Sequence, residues 1–342
     1  MAKGTYFSFE NWNYLLPETS GKLLRFIESE LAKDSSIHSI LHRAISENRT
    51  STNKIIWVRF WPDSGHFSPS LIDKSEHYYT NIRGGTIAQD TTTCLTYELI
   101  SKSGLRQFFN VGLQWILKSE KSVAAGYQLY HHRFLDPTLD ENANQFVYVG
   151  ITRRCWKERW NEHLGAARRG SPYLFHSKIR EALEKGWIQE HSVNAVRLSE
   201  PEAMNAEELA VADYALYPDN PRGMNMIPGG YAGIKFLYRL GALSPQAVLN
   251  PDERPAVIEN YLRDHPRKGV PNPLVSAMWK DEGYAASVIC GHPDHLSVEQ
   301  VQLIRQLHES GFSPSAIASL AHARNVQQVE RVIAGKTYRR IQ

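Results

Sequence analysis

Two strand-like runs enclose a polar loop: residues 125–133 (AGYQLYHHR), the stretch 136–144 (DPTLDENAN) and residues 146–150 (FVYVG). Tyrosine, leucine and valine favour extended chain, and the clustered Asp, Asn and Pro favour a break between the runs. The pair is expected to close into an antiparallel hairpin with a long connection. The second run stops at Gly150 and passes into a helix over 154–168 that is rich in tryptophan and arginine. A helix over 177–185 (SKIREALEK) then ends at Gly186, and a third strand is expected over 191–198 (HSVNAVRL). A helix over 201–216 leads into the glycine-rich loop 223–233 (GMNMIPGGYAG). Residues 123–240 therefore read as an α+β domain on a small three-stranded sheet, mixed or antiparallel, flanked by helices.

The chain of 342 residues is long enough for two or three domains. Residues 1–122 mix helical and strand signals and carry no chemical motif, giving an α/β domain of unknown function. In it, 20–33 has apolar residues at helical spacing, and Asp34 and Ser35 offer a break and a new cap. Residues 54–61 (KIIWVRFW) read as a strand and 104–118 (GLRQFFNVGLQWILK) as a helix. A proline-rich link over 243–255 opens an all-α region, 241–342. There Ser297 can cap a helix with Val298, Val301, Ile304 and Leu307 on its apolar side, ended by Gly311. Ser313 caps a second, with Pro314 at its first position and a stripe of Ala316, Ile317 and Leu320. A third begins near Asn325, with Val326, Val329, Val332 and Ile333 inward. Three short helices in this order over 296–338 suggest a helix-turn-helix.

Net charge is only +3, but Lys and Arg gather between Arg153 and Arg180 and again at Arg331, Lys336, Arg339 and Arg340. Local basic patches on a near-neutral chain suit a phosphate backbone, and they equally suit solvated helix faces. The apolar runs are too short for a membrane span, so no membrane partner is expected. The N-terminus lacks the basic-then-apolar pattern of a secretory signal. Cys94, Cys155 and Cys290 are far apart and odd in number, which fits a reduced, cytoplasmic protein.

Taken together, the middle region resembles the GIY-YIG nuclease family. Tyr148-Val149-Gly150 matches the second motif closely, while Ala125-Gly126-Tyr127 stands where Gly-Ile-Tyr is usual, keeping the tyrosine and losing the leading glycine. Arg159 and His163 match the arginine and histidine of the family helix. Glu207 matches the late metal-binding glutamate, with Glu208 as the alternative, and Asn225 matches an asparagine before a glycine pair. The resemblance implies a Mg2+- or Mn2+-dependent endonuclease acting on double-stranded DNA. Arg159 would bind phosphate through its forked donors, and His163, one turn away, would reach the same phosphate or relay a proton. Glu207 would hold the metal. Tyr127 would be the general base or orient the attacking water, its pKa lowered by nearby cations. Tyr148 would support the phosphate, and Asn225 would tie the glycine loop to the site.

Around that site, Arg153, Arg154 and Lys178 are candidate DNA contacts. In the last region Asn325, Gln327, Gln328 and Arg331 would read base edges, and Lys336, Arg339 and Arg340 would meet phosphates. A catalytic module followed by a DNA-binding tail looks like homing or restriction endonucleases of the same family. The degenerate first motif keeps another reading open, a DNA-binding regulator with an inactive nuclease-like domain, and RNA cleavage is a weaker third. A monomer making one nick and a homodimer making two are both compatible with the sequence. Cys290, His292 and His295 (CGHPDH) are metal-binding types without a fourth ligand, and His131 and His132 read as strand or loop surface.

Overall fold

The computed structural model describes residues 6–17, 20–47, 54–73, 93–118, 120–139, 145–244, 249–265, 279–291 and 295–341. The chain divides into two compact units, Met1–Asp264 and His265–Gln342.

Helices α1 (Phe9–Leu15), α2 (Gly21–Leu31) and α3 (Ser35–Ser46) open the first unit. Ser20 and Asp34 accept from backbone amides at the starts of α2 and α3, which places the break where the sequence puts it. Strands β1 (Lys54–Trp61) and β2 (His66–Asp73) form an antiparallel hairpin, followed by β3 (Cys94–Ile100) and β4 (Arg106–Gly112). Only one helical turn, α4 (Leu113–Ile116), comes next. The helix expected over 104–118 is therefore mostly a strand. Consecutive residues Phe108 and Phe109 are both buried, so β4 has apolar contacts on both faces. A short run of that kind carries no period that separates strand from helix.

The expected middle strands are present as β5 (Tyr127–Leu135), β6 (Gln145–Thr152) and β7 (Ile188–Leu198). They are antiparallel neighbours in the order β7–β5–β6, but they are not a sheet of their own. β4 runs parallel to β7, from Gln107 opposite Gln189 to Asn110 opposite Ser192. The result is one seven-stranded mixed sheet in the order β2–β1–β3–β4–β7–β5–β6. The three-stranded sheet is corrected accordingly: its strands are one end of a larger sheet that crosses the boundary drawn at 122/123. The unexpected partner is β4, the segment whose pattern reads as helix.

Alternation along the strands fixes what each face carries. Tyr148 on β6 stacks on Phe175 at 3.9 Å between ring centroids. Phe175 belongs to α6 (Leu174–Lys185), which with α5 (Trp156–Arg168) covers this face. Val147, Val149 and Ile151 point the other way, against Ala203, Met204 and Val211 of α7 (Glu200–Tyr214). α7 starts in a reciprocal cap between Ser199 and Glu202. After α8 (Gly230–Leu240), a 3-10 turn (Pro251–Glu253) and α9 (Arg254–Asp264) complete the unit. Part of the expected link is thus folded structure.

His131 and His132 are corrected from surface to interior, because β5 continues to Leu135 with every residue buried. His132 Nδ1 lies 2.9 Å from His191 Nδ1, and His163 on α5 lies 2.9 Å from His176 on α6. Burial holds His131, His132 and His163 well below the usual 6.5, His176 at about 4 and His191 at about 3. Above pH 6.5 these imidazoles are neutral in both folded and unfolded chains. Below it only the unfolded chain takes up protons, so stability falls as pH drops from about 6.5 to about 4. His176 alone accounts for on the order of 3 kcal/mol across that window. Urea unfolding at pH 7.5, 6 and 5 is expected to show a steadily falling midpoint. A midpoint that stays level would mean these rings are solvated.

The second unit contains α10 (Glu282–Cys290), α11 (Val298–Glu309), α12 (Pro314–Leu320) and α13 (Val326–Ile333). Val301, Ile304, Ile317, Val329 and Val332 share its core, and Ser297 and Ser313 cap α11 and α12 as expected. Leu320 and Val326 depart from expectation, at 51% and 37% exposed. Ile317 and Ala318 already supply the buried side of the short α12.

Candidate active site

A small, largely filled cleft of about 20 Å³ lies where β5, β6, α5, α7 and the glycine-rich loop meet. Four of the expected site residues line it: Tyr148 from β6, Arg159 from α5, Glu207 from α7 and Asn225 from the loop. Each is 7% exposed or less.

Tyr127 is not among the lining residues. It stands at the start of β5 opposite Leu198 and joins the apolar cluster of Leu129, Val149 and Met204 on the α7 side. Tyr130 lines the cleft instead. The β5–β6 register sets Tyr130 opposite Gly150 and His132 opposite Tyr148, so Tyr130 and Tyr148 share the face that Tyr127 does not. Gly150 is required there: a Cβ on it would lie 2.5 Å from the Tyr130 hydroxyl oxygen. The place assigned to Tyr127 is therefore taken by Tyr130, within Gln128-Leu129-Tyr130. Only the β5–β6 register decides this, and the long polar loop between the two strands leaves that register unset in the sequence.

Asn225 clamps β6 at two points. Its Oδ1 accepts from the Val149 amide at 2.9 Å and its Nδ2 donates to the Val149 carbonyl at 2.8 Å. Tyr148 and Gly150 are fixed on either side of that clamp. The glycines following Asn225 let the loop lie against α7, where a Cβ on Gly229 would come 2.5 Å from the Glu207 carbonyl. Close approach lets the Gly230 amide donate to Glu207 Oε2 at 2.8 Å. Glu208 faces elsewhere and accepts from the Ala232 amide at the start of α8. Of the two glutamates, Glu207 lines the cleft.

Arg159 projects from the first turns of α5, held by ion pairs to Glu162 and to Asp252, the latter at 3.7 Å. Burial opposes its charge, but Tyr130, Tyr148, Asp252 and Glu162 outweigh that, and its pKa rises. His163 is buried behind the cleft, edge-on to Tyr148 with 5.4 Å between centroids and bonded to His176. It supports Tyr148 and does not line the cleft. Burial raises the pKa of both Tyr130 and Tyr148, against the lowering pull of Arg159. The expectation that cations draw a tyrosine towards phenolate is reversed here: desolvation wins, and these hydroxyls stay protonated donors.

No group of three or more His, Cys, Asp or Glu side chains placed to hold a metal ion occurs among the described residues. Magnesium keeps most of its waters and needs only one or two carboxylates, so Glu207 is the right type of ligand. Arg254 from α9 now lies against that carboxylate, 2.5 Å from Oε2.

The flanking candidates separate. Arg153 and Arg154 are exposed, with Arg154 bonded to Glu162 through two nitrogens. Lys178 pairs with Glu181 and lies 4.2 Å from the Phe146 ring centroid, a packing role. In the second unit, Gln327, Arg331, Lys336, Arg339 and Arg340 are exposed. The Asn325 side chain caps α13 by accepting from the Gln328 amide, and the Gln328 side chain accepts from the Arg324 amide, so both serve the helix start. Arg339 donates to the Gly335 carbonyl, and the Arg340 guanidinium lies 5.7 Å from the Trp279 ring centroid. His295 donates to the Ile289 carbonyl, and His292 of the CGHPDH stretch lies outside the described residues. No described helix is long and apolar enough to cross a membrane.

The chain matches no protein-family model, no curated protein and no solved structure.

Proposed function

We propose that the chain is a divalent-metal-dependent DNA endonuclease whose active site is the cleft of Tyr130, Tyr148, Arg159, Glu207 and Asn225. One observation carries the reading: these side chains come from separate elements of the chain and meet in one cleft. Arg159 receives the scissile phosphate, its forked donors matching the non-bridging oxygens. Tyr130 and Tyr148, kept protonated by burial, donate to the non-bridging oxygens of the phosphate and hold it for in-line attack by a water that gives up its proton to bulk solvent. Asn225 keeps the two tyrosines in register by fixing the backbone at Val149. Glu207 would hold Mg2+ or Mn2+, which supplies polarisation of the phosphate and stabilisation of the leaving oxygen.

In this reading the second unit delivers the site to DNA. Gln327 and Arg331, exposed on α13, face the bases, and Lys336 adds a phosphate contact. Supercoiled plasmid incubated with the protein and Mg2+ is expected to be nicked or cut, and chelator or Glu207→Gln is expected to stop it. Cutting that survives both would sink the reading.

The ion pairs that already occupy Arg159 and Glu207 favour one second reading, a DNA-binding regulator with a silent site. Tight, salt-sensitive DNA binding without cutting by any variant would select it.

A further inference from the structure

The cleft is closed on one side by Pro251, Arg254, Pro255 and Ile258, all from the 3-10 turn and α9. Arg254 is 6% exposed, anchored by its own Nε to the Pro251 carbonyl at 3.2 Å, and its guanidinium rests on Glu207. Two residues earlier, the Asp252 side chain is 8% exposed and lies 3.7 Å from Arg159 and 3.6 Å from Arg154. One turn of chain thus offers a cation to the anionic group of the cleft and an anion to its cationic groups. The second contact is loose: Asp252 Oδ1 and Arg159 Nε are both buried without a hydrogen bond. A tighter anion on Arg159 would satisfy what Asp252 leaves open.

We propose that residues 249–264 are an internal pseudo-ligand that holds the site shut, with Asp252 in the seat of a DNA phosphate and Arg254 in the seat of the metal ion. The inference rests on the nuclease reading of the cleft. The strap withdraws when a phosphodiester displaces Asp252 from Arg159 and a divalent cation displaces Arg254 from Glu207. Each displacement exchanges like charge for like charge, so the cleft never holds an uncompensated buried ion. The strap ends at Asp264, where the first unit ends, and so it is the segment of chain that leads from the cleft to the second unit.

The test uses the full chain with Asp252→Asn, Arg254→Gln and the double substitution, each with and without Glu207→Gln. Mn2+ binding is followed by calorimetry, duplex DNA binding is measured in calcium, and plasmid nicking is measured in magnesium. Losing one opposing charge contact is expected to raise the affected affinity by about tenfold, equivalent to about 1.4 kcal/mol. Arg254→Gln should tighten Mn2+ binding, with the gain erased by Glu207→Gln. Asp252→Asn should tighten duplex binding and speed nicking. Asp252→Asn is isosteric and leaves the Glu207–Arg254 pair in place, so it carries the test should Arg254→Gln fail to fold. Mn2+ and duplex affinities at parent values, with nicking unchanged or slower, would overturn the strap and make Arg254 a working part of the site. Tighter Mn2+ and duplex binding with no nicking in any variant would leave the strap standing and remove the nuclease reading.

Discussion

Arg159→Ala is expected to slow plasmid cleavage by about a hundredfold to a thousandfold, the range seen when one fixed electrostatic donor to a developing negative charge is removed. Arg159 is nearly buried and its charge is reinforced by its neighbours, so it stays cationic at any working pH. Arg159→Lys keeps the charge and loses the planar fork, and should recover only part of the rate. Single-turnover nicking at saturating protein isolates the chemical step from DNA capture. An Arg159→Ala protein that cuts at the parent rate would remove the phosphate role.

The second large effect separates two tyrosines three residues apart on the same strand. Tyr130→Phe deletes a hydroxyl that lies over Gly150 in the cleft, and should cost about a hundredfold in nicking rate, as for a lost transition-state donor. Tyr127→Phe changes a ring packed against Leu129 and Met204 on the other face, and should leave nicking near the parent value. Because both hydroxyls have a raised pKa, the Tyr130 effect should persist without a phenolate ionisation appearing in the pH–rate profile near neutrality. The opposite ranking would return the role to Tyr127 and require a different hairpin register in solution.

That contrast marks where the sequence stops being legible. Ala-Gly-Tyr and Gln-Leu-Tyr each keep only the tyrosine of Gly-Ile-Tyr, so spelling alone does not separate Tyr127 from Tyr130. Hydrogen-bond register selects Tyr130, and a long polar loop leaves register unspecified. Tyr148, Arg159, Glu207 and Asn225, which meet in the cleft, were legible because local signals flank them: Tyr148 lies two residues before Gly150, Arg159 in the first turns of a helix, Glu207 within a capped helix, and Asn225 ahead of a glycine pair. The caps at Ser20, Asp34, Ser297 and Ser313 were legible for the same reason. β4 was not, since an apolar run buried on two sides has no face to reveal. Asp252 and Arg254 were hidden most completely: in a proline-rich stretch they read as linker charges, and only the tertiary fold brings them to Glu207 and Arg159.

The parallel seam between Gln107–Asn110 and Gln189–Ser192 bears on how this chain can be divided. With β4 beside it, β7 is an interior strand. Without β4 it would present a bare ladder of donors and acceptors along Gln189–Ser192, a template for pairing with another chain. Residues up to Gly112 therefore work as a splint for the half that carries the cleft. A graft of the cleft into another protein would have to carry that splint, whereas the C-terminal bundle, with its own core and caps, is a separate compact unit that can be removed without opening the sheet.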